Sequence, residues 1–90
     1  MLLHIGEDRF VPSESVVAIV PTEGCSAQTE RLIRDCVDEG HYYPSHKRPK
    51  AYVVCQREGT TYVYASSTAI PTLKERISTD GRYGETVWKK

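Results

Sequence analysis

Along this chain apolar and polar residues recur in short bursts, and the period switches between that of a strand and that of a helix. Leu2 to Ile5 alternates loosely and predicts a short strand. Gly6-Glu7-Asp8 is turn chemistry, and Arg9-Phe10-Val11 returns as a second strand. Pro12-Ser13-Glu14-Ser15 breaks the pattern. Val16-Val17-Ala18-Ile19-Val20 is apolar throughout, mostly β-forming and stopped by Pro21, which predicts a strand buried on both faces. After a loop at residues 22–25, Ser26 is a good helix N-cap. Leu32, Ile33, Cys36 and Val37 then fall on one side at helical spacing, with Arg31, Arg34, Asp35 and Asp38 on the other. Gly40 is the natural stop, so residues 27–39 form the main helix.

His41-Tyr42-Tyr43-Pro44 leads out of that helix into Ser45-His46-Lys47-Arg48-Pro49-Lys50, a basic loop bracketed by prolines. Residues 51–56 and 61–65 read as two strands joined by a glycine-containing hairpin, and Tyr62 and Tyr64 share one face. Pro71 suits the start of a short second helix that continues through Ile77. From Thr79 the chain turns polar and glycine-broken, which predicts a flexible tail over residues 79–90 behind a single domain over residues 1–78. The fold class expected is α+β: about five short, mostly antiparallel strands with one main helix and one short C-terminal helix. A strand apolar on both faces needs two covers. The main helix supplies one, and the short helix or another subunit must supply the second, which motivates a homo-oligomer.

Composition narrows the function classes. With 90 residues and 39% hydrophobic positions, the chain is one globular domain with a modest core. No run approaches the about 20 apolar residues that span a bilayer, and the acidic turn soon after Met1 leaves no room for a signal-peptide core. The expected location is the cytoplasm, without membrane association. Cys25, Cys36 and Cys55 are odd in number and widely spaced, so they read as small hydrophobes in a reducing compartment. They pair with His4, His41 or His46 at no spacing that suits a metal, so no metal or other cofactor is expected. The serines lie in caps and loops, none in a nucleophile elbow. Cys25 precedes a helix start, where a thiolate is favoured, but no motif links it to a histidine. The chain therefore reads as a non-enzyme with no small-molecule substrate and no catalytic residues.

One constellation carries chemistry. Lys47, Arg48 and Lys50, with His46 beside them, form a basic loop that Pro44 and Pro49 stiffen. Splayed, pre-ordered cations suit phosphate, and arginine adds a forked contact. The plain alternative is a solvated loop whose charges only keep the protein soluble. The 12 basic and 12 acidic residues cancel, so any nucleic-acid binding must come from this local patch, multiplied by oligomerisation. Arg31 and Arg34 on the exposed helix face are a weaker second contact. The six tyrosines suit either packing and subunit contacts or a stacking surface for single strands; packing is the commoner use on strands.

The opening Met1-Leu2-Leu3-His4-Ile5-Gly6-Glu7-Asp8, followed by Val16-Val17-Ala18-Ile19, resembles the bacterial extracellular-matrix regulator family, the RemA/RemB group. Pro49-Lys50-Ala51-Tyr52-Val53-Val54, Ser66-Ser67-Thr68 and Pro71-Thr72-Leu73-Lys74-Glu75-Arg76 continue the likeness, which covers residues 1–78. The His-Ile-Gly start and the Pro-Lys before the strand look more like the RemB branch. The resemblance implies a DNA-binding transcriptional regulator linked to biofilm-matrix genes, with a LytTR-like fold. It also implies assembly into a homo-oligomer, a ring in RemA-type members, that carries double-stranded DNA by its phosphate backbone. Lys47-Arg48-Pro49-Lys50 stands where RemA-type members carry an arginine pair; here one arginine is lysine and a proline intervenes. The DNA contacts so implied are Arg48 and Lys47, supported by Lys50 and His46. The other reading is a protein-interaction module, a regulatory partner of a related DNA-binding subunit without DNA binding of its own.

Overall fold

The computed structural model describes residues 2–7 and 9–80, with side chains through Ile77. The elements run β1 (Leu2–Gly6), β2 (Arg9–Pro12), a 3-10 turn (Ser13–Ser15), β3 (Val16–Pro21), α1 (Ala27–Glu39), β4 (Tyr42–Tyr43), β5 (Ala51–Arg57), β6 (Thr60–Ser66) and α2 (Ile70–Asp80). The fold is α+β as expected. β1 and β2 form an antiparallel hairpin, and the other strands form a mixed sheet in the order β3-β5-β6-β4. β5 is antiparallel to both its neighbours, whereas β4 runs parallel to β6. The two-residue strand β4 was not foreseen. Its signal is only Tyr42-Tyr43 in front of a proline, too short to show a period.

Three layers result. On one face of the sheet the hairpin and α2 enclose the larger core, which joins Leu3, Ile5 and Val11 to Val53, Cys55 and Tyr64, with Leu73 and Ile77 from α2. On the other face α1 covers a smaller cluster of Cys36, Val54 and Val63, flanked by Leu32, Ile33, Tyr42 and Tyr52. Alternation along β5 explains the division: Ala51, Val53 and Cys55 point to one core, and Tyr52 and Val54 to the other.

The expectation for residues 16–20 needs correction. β3 lies at the edge of its sheet, and the strands closed off on both faces are the interior ones, β5 over residues 51–55 and β6 over residues 63–66. In β3 the register shifts between Val16 and Ala18, so Val17 is the extra residue of a bulge and stands 49% exposed. A continuous apolar run reports that both faces are apolar; it does not report strand order. The second cover for the sheet is α2 together with the hairpin of the same chain. Val37 is also corrected: it turns away from the core and is half exposed, because α1 rests on the sheet through Leu32, Ile33 and Cys36.

Local signals behave as their chemistry demands. Ser26 accepts a hydrogen bond from the Thr29 amide at 3.2 Å, and Gly40 closes α1 in the left-handed conformation at φ 80°. α2 is tied to the hairpin by Arg76, which donates to the His4 carbonyl at 2.8 Å. Its backbone reaches Asp80, two residues into the segment read as tail; residues 81–90 lie outside the described residues.

Candidate functional site

Residues 44–50 connect β4 to β5, and the structure brings them beside two other connections. At the start of the loop stands the turn between β1 and β2. There Glu7, in the left-handed conformation at φ 53°, extends its carboxylate to the loop. Ser45 Oγ donates to it at 2.5 Å, and the amides of His46 and Lys47 each donate at 3.3 Å. The Ser45 hydroxyl, then these amides, hold the Glu7 carboxyl below its ordinary value of 4.5. At the far end Thr22 Oγ1 donates to the Pro49 carbonyl at 3.3 Å, and the Lys50 amide donates to Ser66 at 2.7 Å. Arg9 braces the strands beneath, donating to the carbonyls of Tyr43 at 3.2 Å and Ala65 at 3.4 Å.

His46, Lys47, Arg48 and Lys50 are all exposed. They do not converge on one point. His46 shares a shallow depression with Glu7, Arg9 and Phe10. Arg48 and Lys50 line another, with Pro21, Thr22, Glu23 and Pro49. Arg48 approaches Glu23 at 3.9 Å, but their side chains are 90% and 87% exposed, so the pair holds neither in place. Arg34 on α1 lines a third depression, which shares Thr22 with the second. Arg31 is exposed on the same helix. Glu7 and Glu23 thus stand among the loop's cations and lower its net field.

The tyrosines mostly pack on one another. Tyr43 stacks on Tyr64 with centroids 4.7 Å apart and planes at 13°. Arg57 lies 4.7 Å over Tyr62 and donates to the Tyr64 hydroxyl at 3.0 Å, and His41 meets Tyr62 at 4.9 Å. On the opposite face Tyr42 meets Tyr52 edge-on at 6.5 Å. Burial raises the thiol pKa of Cys36 and Cys55, and that of Cys25 as well, whose Sγ lies 2.7 Å from the Pro21 carbonyl oxygen. The helix start therefore does not favour a Cys25 thiolate. Ser15 and Ser66 spend their hydroxyls on the backbone carbonyls of Pro12 and Ile5. Among the described residues no cluster of His, Cys, Asp and Glu is arranged to hold a metal ion, and no helix is long and apolar enough to cross a membrane.

The family model described as "RemA-like: Extracellular matrix regulatory protein A-like" matches residues 2–77, from β1 into the last turns of α2. The chain belongs to the RemA-like family. The match takes in both halves of the candidate site, the Glu7 turn and the basic loop, and places the chain among regulators of the extracellular matrix. It does not divide the family into branches. No curated protein matches the chain.

Glu7, Arg9 and Thr22 are the site residues that sequence reasoning missed. Glu7 reads as a turn residue, Arg9 as the start of the returning strand and Thr22 as part of a loop. Nothing in a pattern of neighbours connects position 7 to positions 45–47; only the packing of the hairpin across the sheet does so.

Proposed function

We propose that this RemA-like chain is a cytoplasmic DNA-binding transcriptional regulator. It acts as a homo-oligomer and meets duplex phosphates through residues 46–50. The observation that carries this reading is the form of the loop. It is fastened at both ends by hydrogen bonds, while Arg48 and its neighbours stand in solvent. A loop whose backbone is ordered in advance loses less freedom when its cations meet a phosphate. Arg48 and Lys47 make the contact, and Lys50 and His46 support it. One loop offers about three charges, too few for tight binding, so several copies on one assembly are part of the proposal.

Fluorescence anisotropy on promoter-length duplex across a salt series tests it. The expected result is affinity that falls steeply with salt and drops at least about tenfold in Arg48→Glu. Binding indifferent to both salt and that change counts against the proposal. Sedimentation equilibrium showing a monomer at micromolar concentration removes the oligomer.

A second reading is a protein-interaction module that regulates a related DNA-binding subunit. The specific observation in its favour is that Glu7 and Glu23 stand beside the basic loop of a chain with zero net charge. Recovery of a homologous partner in a pull-down, with no duplex binding at low salt, selects it.

A further inference from the structure

We infer that Glu7 is the positioning residue of the basic loop: its carboxylate gathers the Ser45 hydroxyl and the His46 and Lys47 amides, and so sets the backbone from which the Lys47 and Arg48 side chains project. The purpose assigned to Glu7 rests on the DNA-binding reading; its geometry does not.

Two successive backbone N–H groups and a hydroxyl of the basic loop meet the two oxygens of one carboxylate that comes from a distant turn: Ser45 Oγ and the Lys47 amide donate to Oε2, and the His46 amide donates to Oε1. The Ser45 hydroxyl makes the short charge-assisted contact at 2.5 Å, and the two amides at 3.3 Å add longer, weaker ones. The arrangement is also over-determined. Ser45 Oγ accepts from the Lys47 amide at 3.1 Å while it donates to Glu7, so hydroxyl, amide and carboxylate close a small ring. Glu7 reaches the loop from a left-handed backbone position that residues other than glycine seldom adopt. Glycine precedes it, and Gly6 is itself required: at φ 114°, an added Cβ would lie 2.8 Å from Thr68 Oγ1. The hairpin turn is thereby fixed on the body of the protein before Glu7 extends to the loop.

Two effects of Glu7 on duplex binding oppose each other. As a negative charge beside Lys47 and His46 it repels phosphate, and removing it should tighten binding. As the clamp of residues 45–47 it lowers the cost of ordering the cations, and removing it should weaken binding. The second effect is the larger one.

The experiment compares full-length wild type, Glu7→Ala, Glu7→Gln and Ser45→Ala by amide hydrogen exchange and by anisotropy on the same duplex. Exchange at His46 and Lys47 should accelerate roughly tenfold in Glu7→Ala, and by less in the other two, while Val53 and Cys55 keep their protection and certify the fold. Duplex affinity should fall roughly threefold in Glu7→Ala, against the sign of the charge change. It should also fall in Ser45→Ala, which changes no charge. Unchanged exchange at His46 and Lys47 overturns the clamp. Faster exchange with tighter binding overturns its positioning role, because Glu7 then acts as a competitor of phosphate. If wild type binds no duplex, the DNA-binding reading fails, and the exchange data alone decide whether Glu7 holds the loop.

Discussion

Residues 44–50 and residues 51–55 adjoin along the chain and are held by opposite physics. Ala51, Val53, Val54 and Cys55 are closed off from solvent on both faces of the sheet, between the hairpin and α2 on one side and α1 on the other. No residue of 44–50 enters either core. The loop is held by hydrogen bonds at its two ends, and its cations stand in water. The join is one backbone bond, Lys50 to Ser66, after which the ladder between β5 and β6 begins. The contrast teaches that stability and the proposed binding reside in different side chains. Each can be broken without the other.

The largest effect is expected inside β5. Val53→Asp places an unpaired carboxylate in the larger core and should cost about 4 kcal/mol or more, enough to abolish a cooperative thermal transition. Leu73→Ala opens a cavity on the same face and should cost about 3 kcal/mol by urea denaturation. Gly6→Ala, set against Thr68 in the left-handed region, should cost about 1–3 kcal/mol.

Two smaller effects belong to the loop. Glu7 has its pKa lowered in the folded protein, so its contacts stabilise the loop above the ordinary carboxylate value and are lost as pH falls through the lowered one. On acid titration the amide resonances of His46 and Lys47 should shift together while those of β5 stay in place. Arg48→Glu should leave the urea midpoint within about 0.5 kcal/mol of wild type, because its pair with Glu23 is almost wholly exposed. A large loss of stability in Arg48→Glu would erase the division between the two segments.

Much of the fold was legible in order. The boundaries of α1 follow from Ser26 and Gly40, whose capping chemistry is local. The hairpin through Gly59 follows from strand periods on both sides of one glycine. The family likeness seen in short motifs agrees with the match over residues 2–77. What was misread is spatial. The run at residues 16–20 is as apolar as a central strand, yet a bulge at Val17 and its place in the strand order put it at an edge. β4 exists because the chain leaving α1 finds β6 alongside, where Val63 donates to the His41 carbonyl at 3.0 Å.

The candidate site divides in the same way. The amino-acid sequence by itself determined that Lys47, Arg48 and Lys50 form a stiffened basic loop, because charge and proline act on their own neighbourhood. It also determined the helix caps and the α+β class, which depend on periods a few residues long. Only the tertiary structure decided that the loop is anchored by Glu7 and Thr22, and that β5 rather than β3 is sealed on both faces. It alone decided that a hairpin and α2 complete the second cover. These outcomes depend on contacts between segments far apart in the chain, and such contacts leave no periodic trace in either segment.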